Sequence, residues 1–350
     1  MTSRNLSLLG LIAIVVLAAG LWLANPRSSA QKSDLLYPGL KQDLDKITAI
    51  RLYKAGNEPA VELTRGESHW QVAQRSSYPA DAAKVRRLLQ SLADARSIEE
   101  KTSNPDNYPA LGVEDVADAA AAGTRVELVG TAQPVDLIVG KNAGTKGSYV
   151  RRTGEPASWQ TNESIEASAT PHDWLQTAVL DIGADRVQSA AITVGSGKPY
   201  TIAKAARADA DFKVAGLPKG KEADTFAANN MATALAGLTL SDVRPAQDFA
   251  ADKSVAHATF RTFDGLVVEL DGFSKDDKHY VAAKTSYDDA LAKQFHVETQ
   301  APADGEGNAP KASSEEESGK TNARLQGWVY EIADYKYELI FKPADSLVKK

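Results

Sequence analysis

The stretch Val139-Gly-Lys-Asn-Ala-Gly-Thr-Lys-Gly-Ser-Tyr-Val-Arg-Arg152 gathers three glycines and four cations within fourteen residues. Glycine-rich turns expose backbone N–H groups, and nearby cations make such a concavity a holder of anions. Lys141, Lys146, Arg151 and Arg152 are therefore the candidate contacts for an anionic group. The plainer reading is a hairpin connection, whose glycines serve the turn and whose cations are solvated. That reading is preferred, because hairpin loops want those glycines anyway.

Other chemistry finds little support in residue type and spacing. Five histidines occur, at positions 69, 172, 257, 279 and 296. None lies four residues from another with a glutamate between, so a zinc-hydrolase helix is absent. His257 and His279 are placed to meet across a hairpin, although solvated histidines are the commoner case. Gly195-Ser-Gly-Lys198 has the look of a phosphate loop, but Ile192 stands where its first glycine belongs and Pro199 follows the lysine. A turn between Ile192-Thr-Val194 and Tyr200-Thr-Ile202 accounts for it. No Gly-x-Ser-x-Gly elbow is present. The chain has no cysteine, which excludes disulfides, thiolate metal sites and a cysteine nucleophile. Its net charge of −6 offers no basic excess to attract nucleic acid. Trp70, Trp159, Trp174 and Trp328 could line a ligand groove, but large aromatics more often anchor a core. No catalytic, cofactor or metal residue is therefore named, and a protein without enzymatic activity is expected.

The elements that must carry these residues form a pattern used twice. Ile50 matches Ile192, Trp70 matches Phe212, Asp81 matches Asp224 and Leu92 matches Leu235, at offsets of 142, 142, 143 and 143. Further on, Val135–Gly140 resembles Val267–Gly272 and Tyr149 resembles Tyr280, at offsets of 132 and 131. Each copy opens with short alternating runs such as Ile50/Leu52, Val61/Leu63 and Trp70/Val72, the period of half-buried strands. A helix follows. Asp81 caps it, and Val85, Leu88, Leu89 and Leu92 share one face. Strands return at 124–129, 135–139 and 148–152, and again at 257–263, 266–270 and 279–284. Phe263-Asp-Gly-Leu266 signals a tight hairpin. This order predicts an α+β class: an N-terminal transmembrane helix, then two related modules, each an antiparallel sheet with a helix packed on one face.

Leu6 to Ala24 is nineteen residues without a charge, and as a helix it would span about 28 Å, close to a bilayer's hydrocarbon core. The sequence thus predicts an anchor over 1–26, a linker over 27–46, a first module over 47–178 and a second over 187–350. A cleaved signal peptide, with Ser28-Ser-Ala30 as cleavage site, is the rival, although such apolar regions are usually shorter. Retention of the short tail and export of the remainder predict a single-pass protein of a bacterial inner membrane, with residues 27–350 on the periplasmic side. Residues 298–323 carry six acids against two lysines and no apolar side chain larger than alanine. They read as a disordered acidic insertion. Trp328 to Ile340 alternates as a closing strand or strand pair.

Several short motifs follow one another in a recognisable order: Trp70-Gln-Val72, Tyr78-Pro-Ala-Asp81, Leu89-Gln-Ser-Leu-Ala-Asp-Ala-Arg96, Leu111-Gly-Val113, Val139-Gly-Lys141, Gly147-Ser-Tyr-Val-Arg151 and Gly327-Trp-Val-Tyr-Glu-Ile332. Together they resemble the family called domain of unknown function 4340, over about residues 35 to 345. That resemblance implies a bacterial, membrane-anchored protein accompanying permease, ATPase and gliding-motility-type auxiliary components of ABC transporters, with no catalytic residue to carry over. The expected function is an accessory or scaffold protein of the cell envelope that contacts an ABC-type permease complex, with no cofactor, nucleotide or nucleic-acid partner. The alternative is a binding module that captures a lipid, glycan or peptide in a cleft between its two copies.

Overall fold

A computed structural model describes residues 34–217, 219–295 and 313–349. The chain first forms strands β1 (Ala49–Lys54), β2 (Glu58–Arg65), β3 (Trp70–Val72) and β4 (Tyr78–Pro79), then helix α1 (Ala82–Asp94). Strands β5 (Ser97–Thr102), β6 (Thr124–Val129), β7 (Val135–Asn142), β8 (Ser148–Arg152) and β9 (Ser158–Thr161) follow. A second series comprises β10 (Ala178–Leu180), β11 (Val187–Val194), β12 (Tyr200–Ala203) and β13 (Lys213–Ala215), then helix α2 (Thr225–Met231). It continues with β14 (Leu238–Pro245), β15 (Ala256–Thr262), β16 (Leu266–Lys275), β17 (Lys278–Tyr287) and helix α3 (Asp289–Gln294). Helix α4 (Ser314–Leu325), β18 (Trp328–Ile332) and helix α5 (Asp334–Ile340) close the chain.

The strands make two nine-stranded sheets, in spatial order β4–β3–β2–β1–β6–β7–β8–β9–β5 and β13–β12–β11–β15–β16–β17–β18–β14–β10. From β3 to β5 and from β13 to β14 the two orders coincide strand for strand. The registers are antiparallel: Ile50 faces Leu128 and Leu52 faces Val126 in the first sheet, while Leu270 faces both Ala258 and Ala283 in the second. Gly195–Lys198 is the turn that joins β11 to β12, with Ile192 opposite Tyr200.

By compactness the chain forms two units. One holds the described residues up to Val61 with Lys84–Ala169, the other Glu62–Ala83 with Thr170 onward. In the first, Ile50, Leu52, Val61, Val126, Leu137 and Val150 are buried together with the Val85, Leu88, Leu89 and Leu92 face of α1. Each such side chain contributes about 1.5–3 kcal/mol by leaving water. In the second, Val72, Tyr78, Phe260, Leu270, Tyr280, Tyr330 and Ile340 are buried. Asp224 caps α2 by accepting the Ala227 N–H at 3.0 Å.

Four expectations need correction. The α+β class gives way to a mostly-β architecture of two large antiparallel sheets with few helices. The missed strands are those with least alternation: Ser97–Thr102 has Ile98 as its one apolar residue and buries little, because it is an edge strand. The single-pass inner-membrane placement is corrected too. Among the described residues no helix is long and apolar enough to cross a membrane, and the 6–24 segment that carried the expectation lies outside those residues. Finally, the described part of the acidic stretch is helix, not loop. Ser313 caps α4 by accepting the Glu316 N–H, and Arg186 holds Glu317 with two hydrogen bonds of 2.9 and 2.8 Å. The closing segment keeps its strand only to Ile332. Tyr337 and Ile340 are buried three residues apart, a helical spacing.

Candidate functional site

In the first unit β7 and β8 form the hairpin that carries the glycine-and-cation stretch, with Val139 opposite Val150 and Asn142 opposite Ser148. Gly140 has a steric task. A Cβ there would stand 2.4 Å from the Leu111 carbonyl oxygen and 2.7 Å from that of Gly112. Glycine alone lets the 111–113 backbone lie against β7. Gly112, at φ +71°, closes the turn Tyr108–Leu111 and donates its N–H to the Tyr108 carbonyl at 2.8 Å.

The cations are engaged by the protein itself. Lys141 Nζ donates to the carbonyls of Pro109 and Ala110 at 3.0 and 3.1 Å. Arg151 is 3% exposed; its Nε donates to Val113 O at 2.7 Å and its Nη1 to Glu155 O at 3.1 Å. Its guanidinium lies 4.6 Å over the Tyr108 ring. Arg152 pairs with Glu155 at 3.2 Å, donates to the Leu36 carbonyl and lies over the Tyr37 ring. Burial pushes the Tyr37 phenol up, partly offset by the Arg152 charge. Lys146 is exposed at the hairpin turn. Lys141 and Arg151 therefore meet on segment 109–115, Arg152 points elsewhere, and Lys146 joins neither.

Beside that segment is a pocket of about 460 Å³. Tyr108 and Pro105, Pro109 and Pro156 supply its apolar surface, and Glu114, Asp115, Asp118, Glu155 and Arg151 its charge. Two buried polar atoms lack a hydrogen bond there, Arg151 Nη2 and Glu114 Oε2. Arg151 Nη2 stands 3.1 Å from Asp115 Oδ1, an ion-pair contact without hydrogen-bond direction. Buried polar atoms are seldom left so. The pocket lies where β5 and β8 end and β9 begins.

Strand β5 is the outermost strand of its sheet. Its outer side is covered only at the start, where Leu35 bridges to Arg96 and Ser97 donates its N–H to Asp34 O at 3.0 Å. From Ile98 to Thr102 that side pairs with no strand among the described residues. Ile98 is 39% exposed and Glu99 and Glu100 are exposed. An open edge presents a row of backbone donors and acceptors for another chain.

The second unit has a groove of about 820 Å³ over the β3–β4 hairpin. Gln71 faces Pro79 on the ladder, Ala80 donates its N–H to the Trp70 carbonyl at 2.7 Å, and His69 and Asp81 line the groove beyond them. Arg324 lines it, donating to the carbonyls of Ala178 and Val179 at 2.6 Å each. Trp328 also lines it and is packed edge-on against Tyr78 at 5.0 Å. Burial pushes the Tyr78 phenol up to about 12. His257 and His279 do not meet. The first pairs with Asp271 and the second with Asp334, both at 2.9 Å. Of the four tryptophans proposed for a groove, Trp328 alone lines this one, and Trp174 is buried.

Sequence reasoning missed Tyr108, Glu114, Asp115 and Asp118, which fall between its assigned elements. The available signal was Pro105-Asp-Asn-Tyr-Pro109 followed by Leu-Gly-Val-Glu-Asp115, a proline-punctuated turn with adjacent carboxylates.

The family model "Domain of unknown function (DUF4340)" matches residues 70–257. No curated protein and no solved structure matches the chain.

Proposed function

The chain belongs to the DUF4340 family of unknown function, and from that premise we propose that it is a non-enzymatic accessory protein. It acts by holding a protein partner, and the partner is a component of an ABC-type transport complex. The observation that carries the reading is the open outer side of β5 from Ile98 to Thr102. The transporter rests on the resemblance of the motif order alone.

Purification of the full-length, C-terminally tagged protein from its native cells tests this. Permease and ATPase subunits are expected to co-elute in stoichiometric amounts, and to be lost with Ile98→Lys, which places a charge on the edge. Recovery of the protein alone, where those partners are expressed, would overturn the transporter reading.

A second reading, capture of a glycan or peptide, is favoured by the 820 Å³ groove of the second unit, with its Trp328 wall and Gln71, His69 and Asp81 floor. Native mass spectrometry of the purified protein would reveal such a ligand as a mass increment lost in Trp328→Ala.

A further inference from the structure

The charges of the first unit's pocket do not cancel. Arg151 is answered by Asp115 at 3.1 Å and Arg152 by Glu155 at 3.2 Å. Glu114 and Asp118 have no cation beside them among the described residues. The unanswered charge is negative, and it surrounds an apolar surface of Tyr108 and three prolines. Such a lining accepts a cationic side chain with an aliphatic stem: the stem packs on the rings while the head reaches the carboxylates.

The two orphaned atoms add a second, independent constraint. Arg151 is nine-tenths buried and more, and its Nη2 needs an acceptor. Glu114 is half-buried, but its Oε2 is shielded from solvent and lacks a donor. One group that offers an acceptor and a donor side by side is a residue of an extended chain, whose own C=O and N–H point to the same side. A free anion would satisfy the arginine but meet Glu114 and Asp118. A bare metal ion fits no better, because among the described residues no group of three or more potential ligands converges. The open side of β5 ends beside this pocket, since the chain passes from Thr102 directly to Pro105 on its wall.

We propose that the pocket receives one lysine or arginine, with the backbone C=O and N–H of one residue next to it, from an extended segment of a partner protein that pairs along the open side of β5. The proposal rests on the edge-docking reading above and names the chemistry of the partner. Backbone pairing supplies the affinity and the pocket supplies the choice of side chain, the usual division in strand addition. The register follows from it: the basic residue lies at the end of the added strand beyond Thr102.

The test uses the full chain and three blocked peptides, acetyl-Val-Thr-Val-Thr-Val-Lys-Val-amide and its counterparts with Gln or Glu in place of Lys. Binding is measured by titration, and its location by amide exchange of residues 98–102. The lysine peptide is expected to bind about tenfold more tightly than the glutamate peptide at low salt, with the gap narrowing as salt rises. The isosteric double variant Glu114→Gln/Asp118→Asn is expected to bring the three peptides to within about threefold of one another. Equal binding of all three peptides to the unaltered protein, with residues 98–102 protected, would overturn the basic-residue proposal and leave the edge reading intact. No protection by any peptide would overturn both. Retention of the lysine preference in the double variant would overturn the assignment of the pocket.

Discussion

The two sheets share an order of eight strands and differ at its end. In the second sheet the start of β14 is covered by the short strand β10, with Ala178 opposite Thr239 and Leu180 opposite Leu238. In the first, the corresponding strand β5 has no outer neighbour beyond its first residues among the described residues. Next to these strands the connections differ in the same sense. Phe249 in the second unit packs on Tyr280 at 5.0 Å, within an apolar cluster that includes Val329 and Ala282. Tyr108 in the first unit instead carries the buried Arg151 guanidinium, and the matching offset of 131 sets Arg151 against Ala282. One frame therefore lays a short strand over the start of its edge and sets rings against rings beside it, while the other has no strand of its own there and sets a buried guanidinium against its ring, beside a polar pocket. A buried arginine does not outdo an apolar cluster in stability. Its presence where the sister position is alanine is why the account places function at this end of the first sheet.

That comparison breaks most sharply by exchanging the two positions. Arg151→Ala strips the donors from the Val113 and Glu155 carbonyls and the cover from Tyr108, and is expected to destabilise the first unit by about 3 kcal/mol. Ala282→Arg crowds a half-buried position packed on Phe249, Tyr280 and Val329, opposite Asp271, and is expected to cost the second unit about 1–3 kcal/mol. Denaturant unfolding followed by segment-resolved amide exchange reads both. A neutral Ala282→Arg would mean that the second unit already accommodates the charge and that the units do not differ as described.

A somewhat smaller loss, about 2–3 kcal/mol, is expected for Gly140→Ala, since the new Cβ collides with backbone oxygens that have nowhere to move. Exchange should quicken first in residues 108–115. Gly144→Ala, at a position with open space but φ +70°, should cost about 1 kcal/mol and leave those residues protected.

Acid separates the units by another route. Burial alone would raise the Asp264 carboxyl, but the Thr262 hydroxyl and the Arg186 guanidinium hold it below the usual carboxylate value. A carboxylate depressed in the folded state contributes stability above its unfolded value, near 3.9, and loses that contribution as pH falls through the lower folded value. The second unit should therefore weaken as pH drops below about 4, and Asp264→Asn should flatten that dependence while lowering stability at neutral pH. Thermal unfolding from pH 6 to 2 checks it. An unchanged acid slope in the variant would remove Asp264 from the account. The smallest effect expected is for Asp224→Ala, which leaves the first turn of α2 uncapped and should cost about 1 kcal/mol in the same assay.

How much of this was legible depended on burial. Strands with one buried face, such as Ala49–Lys54 and Ala256–Thr262, announce themselves by alternation, and α1 by its Val85–Leu92 stripe. The edge strand Ser97–Thr102 does not, because nothing forces alternation on a strand that buries so little. Leu111-Gly-Val113 and Val139-Gly-Lys141 were legible as motifs without a reason, and the reason is that they touch. Gly140 admits the 111–112 backbone, and Lys141 holds the carbonyls of Pro109 and Ala110. Composition marked Arg151 and Arg152 as anion contacts. Composition does not tell a solvated guanidinium from one already holding Val113 and Glu155, and only tertiary packing makes that difference.

The central claim is that the open side of β5 holds a partner's extended basic segment. A photo-reactive residue placed at Glu100, and separately at Ala178 on the strand that covers the second sheet's edge, tests it in native cells. The account predicts a discrete adduct from position 100 alone, mapping to an extended stretch of the partner that contains lysine or arginine. Adducts of equal yield from both positions, or a segment without a basic residue at position 100, would contradict it.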